Sequence, residues 1–255
     1  MILDDKVIEK RRYDDRSNDR LTSGFLDSGS NLSGFQSIPF ELRAPYIEYE
    51  LILDQHLTGD LEVLEICAGT GEFTAPLLRS GGRVTATDIS SASLDLLKVR
   101  FSGDGTLNTK IADIENLPFK NHSFDIVACA GGLSYGDNDL VLGEIYRVLR
   151  PGGKFICVDS LNNNLIYRVN RYLHYLRGNR SLSTLVRMPS KKYIDLLKLK
   201  FDGVEVSFFG SIVWLTPLLR ISFGAEKTFK ILNWFDRVVG VKGSAFKFVL
   251  LAWKK

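Results

Sequence analysis

No run in this 255-residue sequence reaches the roughly 20 consecutive apolar residues that a membrane-spanning helix needs. The longest greasy stretch, Phe208 to Leu219, is interrupted by Gly210, Ser211, Thr216 and Pro217. Cysteine is scarce: only Cys67, Cys129 and Cys157, each in an apolar strand-like run and with no C-x-x-C pattern. That excludes a disulfide scaffold and predicts buried thiols in a reducing compartment. There are three histidines, and no His/Asp/Glu cluster has metal-ligand spacing, so no metal is predicted. An excess of one charge is also missing. Lys and Arg total 33 against 30 Asp and Glu, a net +3, well short of a nucleic-acid signature by itself. The opening residues are dense in charge (Asp4, Asp5, Lys6, Glu9, Lys10, Arg11, Arg12), which predicts no secretory leader and a cytoplasmic location. With 45% apolar and 25% charged residues, the chain has an ordinary globular composition, and its length suits one domain of the larger α/β kind with a sizeable core.

What is present is organised around Leu61 to Thr74, LEVLEICAGTGEFT. An apolar strand (Leu61, Val63, Leu64, Ile66) meets the acid Glu65 near its end, then a turn of small residues, Cys67-Ala68-Gly69-Thr70-Gly71, and then a helix with Pro76 in its first turn. Small residues let backbone approach a ligand, and glycine supplies positive φ at no steric cost. A dinucleotide turn would read G-x-G-x-x-G, but Thr74 stands where the third glycine belongs. Glu65 would also repel a pyrophosphate and attract a cationic amino-acid moiety. The turn therefore suits a ligand with a positive end and no phosphates.

The pattern repeats. Arg83 to Asp88 (RVTATD) reads as a second strand ending in an acid, 17 residues past Gly71, with Ile89 next. A carboxylate there can accept both hydroxyls of a ribose, unless it caps the next helix, a task for which Ser90 and Ser91 are better placed. That helix is Ser91 to Arg100, with Leu94, Leu97 and Val99 as its core positions. Leu107 to Ala112 meets Asp113 and then Ile114. Open parallel sheets bind ligands at the carboxyl ends of their strands. Phe124 to Ala130 (FDIVACA) is a continuous apolar strand, followed by the loop Gly131 to Asn138, an amphipathic helix from Asp139 to Leu149, and a strand from Lys154 to Asp159.

Glu65 to Gly71, with the acids Asp88 and Asp113 and the string Glu144 to Asp159 (EIYRVLRPGGKFICVD), resembles the class I methyltransferases that use S-adenosylmethionine (SAM), of the broad small-molecule type, over roughly residues 45 to 160. Cys67 departs from the usual first glycine of that motif. The resemblance implies a doubly wound α/β sheet of six parallel strands and an antiparallel last one, and SAM as cofactor. It implies cofactor contacts from Glu65, Ala68, Gly69, Gly71 and Ala130, from Asp88 and Ile89 on the nucleoside, and from Asp113 and Ile114 on the adenine. Tyr13 is expected over the sulfonium. The loop facing the methyl lacks the D/N-P-P-Y/F motif of nucleobase amino-methylating enzymes, which weighs against a nucleic-acid substrate.

The flanks are less generic. Residues 1 to 20 read as polar and loose in isolation, and 21 to 40 as a Gly/Ser-rich flap studded with Phe25, Leu26, Phe35 and Phe40, together an N-terminal lid. Glu41 to Leu57 has helical spacing. Two inserts, 161–190 and 212–243, are expected on the acceptor side of a single domain spanning 1–255. The first is basic and aromatic (Tyr167, Arg168, Arg171, Tyr172, His174, Tyr175, Arg177, Arg180), and Ser190 looks like the cap of a helix over Lys191 to Phe201. The second carries Trp214, Leu215, Leu218, Leu219, Phe223, Phe229, Leu232, Trp234 and Phe235. Filling the core is its slightly preferred use, over roofing the acceptor, meeting a twin subunit or touching a lipid surface. Strands Gly203 to Phe209 and Ala245 to Trp253 complete the sheet.

A methyl on a sulfonium is already activated, so the enzyme's task is mostly alignment, with a base where the acceptor is a hydroxyl. His174, Tyr135 and Asp137 are the expected catalytic groups. Arg and aromatic side chains in the first insert favour a sugar or glycan hydroxyl of a surface polysaccharide as acceptor. A quinone or other lipid-like small molecule, or a SAM-binding protein without catalysis, stand as alternatives. An NAD-dependent oxidoreductase is disfavoured by Glu65 and the missing third glycine.

Overall fold

The computed structural model describes residues 3–22, 38–79, 81–177, 181–240 and 242–255. In chain order the elements are α1 (Leu3–Thr22), α2 (Ala44–His56), β1 (Glu62–Ile66), α3 (Thr74–Leu78), β2 (Arg83–Asp88), α4 (Ser91–Arg100), β3 (Leu107–Ile111), β4 (Phe124–Ala130), α5 (Asn138–Val148), β5 (Leu149–Ser160), α6 (Leu165–Leu176), α7 (Leu182–Val186), α8 (Lys191–Lys200), β6 (Gly203–Phe209), α9 (Thr216–Val238) and β7 (Lys247–Trp253). The seven strands form one sheet in the order β3-β2-β1-β4-β5-β7-β6. Pairings from β3 through β5 are parallel, and β7 runs antiparallel to both β5 and β6. This is the expected doubly wound α/β sheet, with six strands in one direction and the last reversed.

Central strands covered on both faces must be apolar along their length. Val63, Leu64, Ile126, Val127, Ile156 and Cys157 are buried accordingly. On one face Leu142 and Ile145 of α5 and Ile194 and Leu197 of α8 pack against Leu64, Phe155 and Leu250. On the other, Tyr49 and Leu53 of α2 meet Val63, Ile126 and Val249, while Leu94 and Leu97 of α4 meet Ala86. Val99, expected in the core, is exposed, and Leu96 takes its place in the buried stripe of α4.

Two regions differ from the sequence reading. Residues 3 to 22 form one helix rather than a loose segment. Propensity alone would not hold it: among its described side chains the buried ones are the polar Glu9 and Ser17, and Val7 and Ile8 face outward. It is fixed by polar contacts with distant loops, which no local pattern announces. The flap studs Phe25, Leu26 and Phe35 lie outside the described residues, as does Arg180. The second correction concerns α9. Within it only Thr228 and Leu232 are buried, while Leu218, Ile221, Phe223 and Trp234 are exposed, as is Trp214 just before it, so the segment is not core filling. Its helical path breaks at Gly224, at φ 74° and ψ 171°, a conformation that suits glycine. Among the described residues no helix is long and apolar enough to cross a membrane.

Candidate functional site

The turn after β1 sets the site. Three of its five residues have positive φ: Cys67 at 55°, Gly69 at 56° and Gly71 at 83°. Cys67 thus adopts, as a non-glycine, a left-handed backbone that favours glycine. The close approach falls instead on Gly132 in the loop after β4, where a Cβ would lie 2.5 Å from that of Cys67. Two acids brace the turn. Glu65 is buried and accepts a bond from the Thr74 hydroxyl at 2.7 Å. Thr74, the residue in the third-glycine position, therefore serves the carboxylate. Asp88 accepts the Gly69 N–H through one oxygen and the Ser90 N–H through the other, both at 2.9 Å. Ser90 is the N-cap of α4, accepting the Ser93 N–H at 3.0 Å.

A cavity of about 340 Å³ opens where these tips converge. Glu65, Ala68, Gly69, Asp88 and Ile89 line it, with Asp113, Ile114 and Ala130 from the next two strand ends and Tyr13 and Tyr135 above. All but one of the expected cofactor residues are therefore brought together. The exception is Gly71, which does not line the cavity. It closes the turn onto the Ala68 carbonyl at 3.0 Å, with no room for a Cβ against Phe101 and Leu97. Asp113 is already engaged: its carboxylate meets Lys6 of α1 on one oxygen and the Glu115 N–H, at 3.0 Å, on the other.

Helix α1 crosses all four strand-end loops. Arg20 bonds Thr70 and Glu72 after β1, at 3.2 and 3.1 Å. Asp14 accepts the Ser90 hydroxyl after β2 at 2.5 Å, and Ser17 meets Ser93 at 2.9 Å. Lys6 pairs with Asp113 and, at 2.7 Å, with Glu115 after β3. The Tyr13 hydroxyl bonds that of Tyr135 after β4, their rings edge-to-face at 5.6 Å. Sequence reasoning missed Lys6, Glu9, Tyr46 and Phe73 as lining residues. Tyr46 and Phe73 stack at 5.2 Å. Their helical and turn positions carried a signal of burial, though none of a ligand.

The electrostatics are those of an acidic pocket short of solvent. Burial pushes the Glu65 carboxyl up to about 8, despite the Thr74 hydrogen bond. Burial also raises Asp88, against the opposing pull of the N–H groups of Ser90 and Gly69. Burial raises both Tyr13 and Tyr135, so each phenol keeps its proton at neutral pH. A nucleoside bearing a cationic amino-acid tail fits this donor set. Five carboxylate side chains line the cavity (Glu9, Glu65, Glu72, Asp88 and Asp113), Ile89 and Ile114 offer apolar edges, and a partner cation would relieve the buried Glu65.

Two expected catalytic residues lie elsewhere. Asp137 caps α5, accepting the N–H groups of Asp139 and Leu140 at 3.0 and 3.3 Å. His174 sits in the last turn of α6 and lines neither this cavity nor the one discussed below. The basic insert is also largely structural where it faces inward. Arg171 is buried, donating to the Leu161 carbonyl at 2.9 Å, and Tyr167 donates to the Gly210 carbonyl and accepts the Trp214 N–H. Among the described residues, ligand atoms of Cys129, Cys157 and Asp159 lie within 4.8 Å of one another. Both Asp159 oxygens take backbone N–H groups, and burial raises the Cys157 thiol away from the thiolate a metal needs.

Residues 64–157 match the family described as a methyltransferase domain. The ubiquinone/menaquinone biosynthesis C-methyltransferase UbiE of Desulfotalea psychrophila is 38% identical over 156 residues, 58% of this chain and 62% of that protein. The demethylmenaquinone methyltransferase of Lactococcus lactis is 36% identical over 149 residues, 56% of this chain and 59% of that protein. The matches thus span less than two thirds of these relatives' lengths. Among solved structures, Haemonchus contortus phosphoethanolamine N-methyltransferase 2 superposes with a TM-score of 0.58 at 17% identity, over 82% of this chain and 52% of that one, a likeness of fold. Fold, motif and matched segment agree: residues 64–157 match the methyltransferase-domain family and lie in the doubly wound sheet of the class I SAM-dependent methyltransferase fold. Both of the sequence relatives named above carry quinone names.

Proposed function

We propose that the chain transfers a methyl group from SAM to a small, largely apolar acceptor of the quinol type. The observation that carries the reading is the convergence of Glu65, Asp88 and Asp113, from three successive strand ends, on one cavity floored by Gly69. Bound there, SAM would supply an electrophilic methyl on a sulfonium. The chain's own part is to bind and align. Glu65 would meet the cationic amino-acid end, Asp88 the ribose hydroxyls, and Asp113 the adenine edge once Lys6 gives way. Tyr13 and Tyr135, tied to each other across the cavity mouth, would exclude water and fix the acceptor's approach.

Two observations favour a quinol over a glycan hydroxyl. The sequence relatives are named for ubiquinone and menaquinone. None of the described arginines of the first insert, nor His174, lines the cavity, and Arg171 is spent on the Leu161 carbonyl. A lipid-phase acceptor would also give a use to the exposed apolar side chains of α6 and α9. The free thiols of Cys129 and Cys157, opposite each other on β4 and β5, suit a reducing compartment such as the cytoplasm.

The test is incubation of the full chain with SAM and a reduced naphthoquinol, set against a nucleotide-sugar panel, with adenosylhomocysteine and methylated product read by mass spectrometry. Methylated naphthoquinol is the expected outcome. Turnover of a sugar alone would overturn the acceptor, and adenosylhomocysteine binding with no turnover of any acceptor would favour a non-catalytic SAM-binding role.

A further inference from the structure

A second cavity, of about 310 Å³, lies beside the first. Ile38 and Tyr46 line both, so the two spaces share a partition. The second is built from the start of α2, the ends of β5 and β6, the start of β7 and the C-terminal part of α9. Its walls are mostly apolar, with Leu42, Phe209, Val213, Leu232 and Phe246 among them. Most of its polar groups are committed. Asp236 accepts the N–H groups of Gly210 and Ser211 at 2.7 and 2.9 Å. Glu41, buried, pairs with Arg220 of α9 at 3.2 Å.

Lys247 is held less tightly. Its Nζ makes one long bond, 3.4 Å, to the Ser160 hydroxyl across the β5–β7 pairing. It lies 5.0 Å from the centre of the Tyr46 ring and 5.8 Å from that of Phe246. Among the described residues no carboxylate oxygen is within 4 Å of it; the nearest charged influence is the buried Asp159, one residue before Ser160, whose raised carboxyl it partly offsets. An ammonium has three N–H donors, and among the described residues only the Ser160 hydroxyl is within bonding distance of this one. Such a cation stabilises an oxygen that carries, or is gaining, negative charge.

Resting on the reading of the first cavity as the SAM site, we propose that the second cavity is the acceptor subsite, and that Lys247 holds a ring hydroxyl or its oxyanion on a planar hydroxyaromatic acceptor. The apolar walls take the ring and its substituents, and Tyr46 and Phe246 flank the oxygen-bearing end. The shared wall of Ile38 and Tyr46 sets the acceptor against the methyl donor.

The probe is 4-nitro-1-naphthol, whose phenolate absorbs in the visible. It is titrated into the full chain saturated with adenosylhomocysteine, at a pH where the free probe is mostly neutral. The wild type is expected to bind it and to bring up the phenolate band. Lys247→Met should weaken binding by about tenfold or more and lose the band, since a hydrogen bond to a charged group is at stake. Lys247→Arg should recover part of both. Leu232→Trp, which fills the cavity from α9, should abolish probe binding. Adenosylhomocysteine affinity, measured by calorimetry, should be the same in all four proteins. An unchanged band and affinity in Lys247→Met, full probe binding in Leu232→Trp, or no probe binding by the wild type would each overturn the proposal. Loss of adenosylhomocysteine binding in the wild type would instead overturn the reading of the first cavity.

Discussion

The carboxyl edge of the sheet is covered by two helices of opposite character. Over β1 to β4 lies α1, which buries Glu9 and Ser17 and is held by charged and hydroxyl side chains reaching four different loops. Beside β6 lies α9, which buries Leu232 against the second cavity, pairs Arg220 with Glu41, and turns Ile221, Phe223 and Trp234 to solvent. One cover is polar on its inner side, the other apolar on its outer side. A polar inner face can detach into water at little cost, because the groups it loses are rehydrated. That is the property a cover over a cofactor cavity requires, since the cofactor must enter and its product must leave. An apolar outer face gives nothing to folding and is free for other work.

The largest effects should fall beneath both covers. Leu64→Ala removes a fully buried side chain from β1 and should cost about 2–5 kcal/mol of stability by denaturant titration. Next comes the loop that β2 supports. Asp88→Ala deletes two bonds, to Gly69 and Ser90, as well as the proposed ribose contact. Adenosylhomocysteine affinity should fall about a hundredfold by calorimetry, two charge-assisted bonds being enough for that. A fall of less than about threefold would show that the acid only braces the turn.

The contrast also separates what the chain wrote locally from what it did not. Each acid-tipped strand is a run of a few residues, so Glu65, Asp88 and Asp113 could be read off directly, and all three line the cavity. The capping of α5 by Asp137 was equally local, but the loop's expected place over the methyl concealed it. Helix α1 was illegible because its stabilising partners are far away in sequence; Lys6 and Asp113 are 107 residues apart. In α9 the apolar spacing was visible, but spacing does not say which stripe is covered. Nothing local marks Lys247 in its strand; Tyr46, Phe246 and Ser160 come around it only through the fold.

Proton linkage gives a smaller and more diagnostic effect. The Glu65 carboxyl moves from 4.5 to about 8 on folding, so between those values the folded chain holds one more proton than the unfolded chain. Stability from this group is complete at low pH and is lost as pH rises through 8, with a slope of at most about 1.4 kcal/mol per pH unit. Binding of a cationic ligand runs the other way: affinity should rise with pH until the carboxylate is fully formed. Glu65→Gln, which can still accept from Thr74, should flatten both profiles. Parallel pH dependence in wild type and variant, by thermal shift with and without adenosylhomocysteine, would remove Glu65 from the binding site.

Salt should loosen α1 and leave α9 alone. The contacts of Lys6 and Arg20 are partly exposed ion pairs, screened over a Debye length of about 3 Å at 1 M salt. Backbone amides of α1 should therefore exchange hydrogen several-fold faster in 1 M sodium chloride, while those of α9 beyond its Gly224 break, where Leu232 is buried, keep their rate. The smallest effect completes the contrast. Ile221 is 86% exposed, so Ile221→Ser gives up almost no burial and should change stability by no more than about 0.5 kcal/mol in denaturant titration. A large loss there would mean that the outer face of α9 is covered in solution, and the two helices would then differ in what covers them rather than in how they are held.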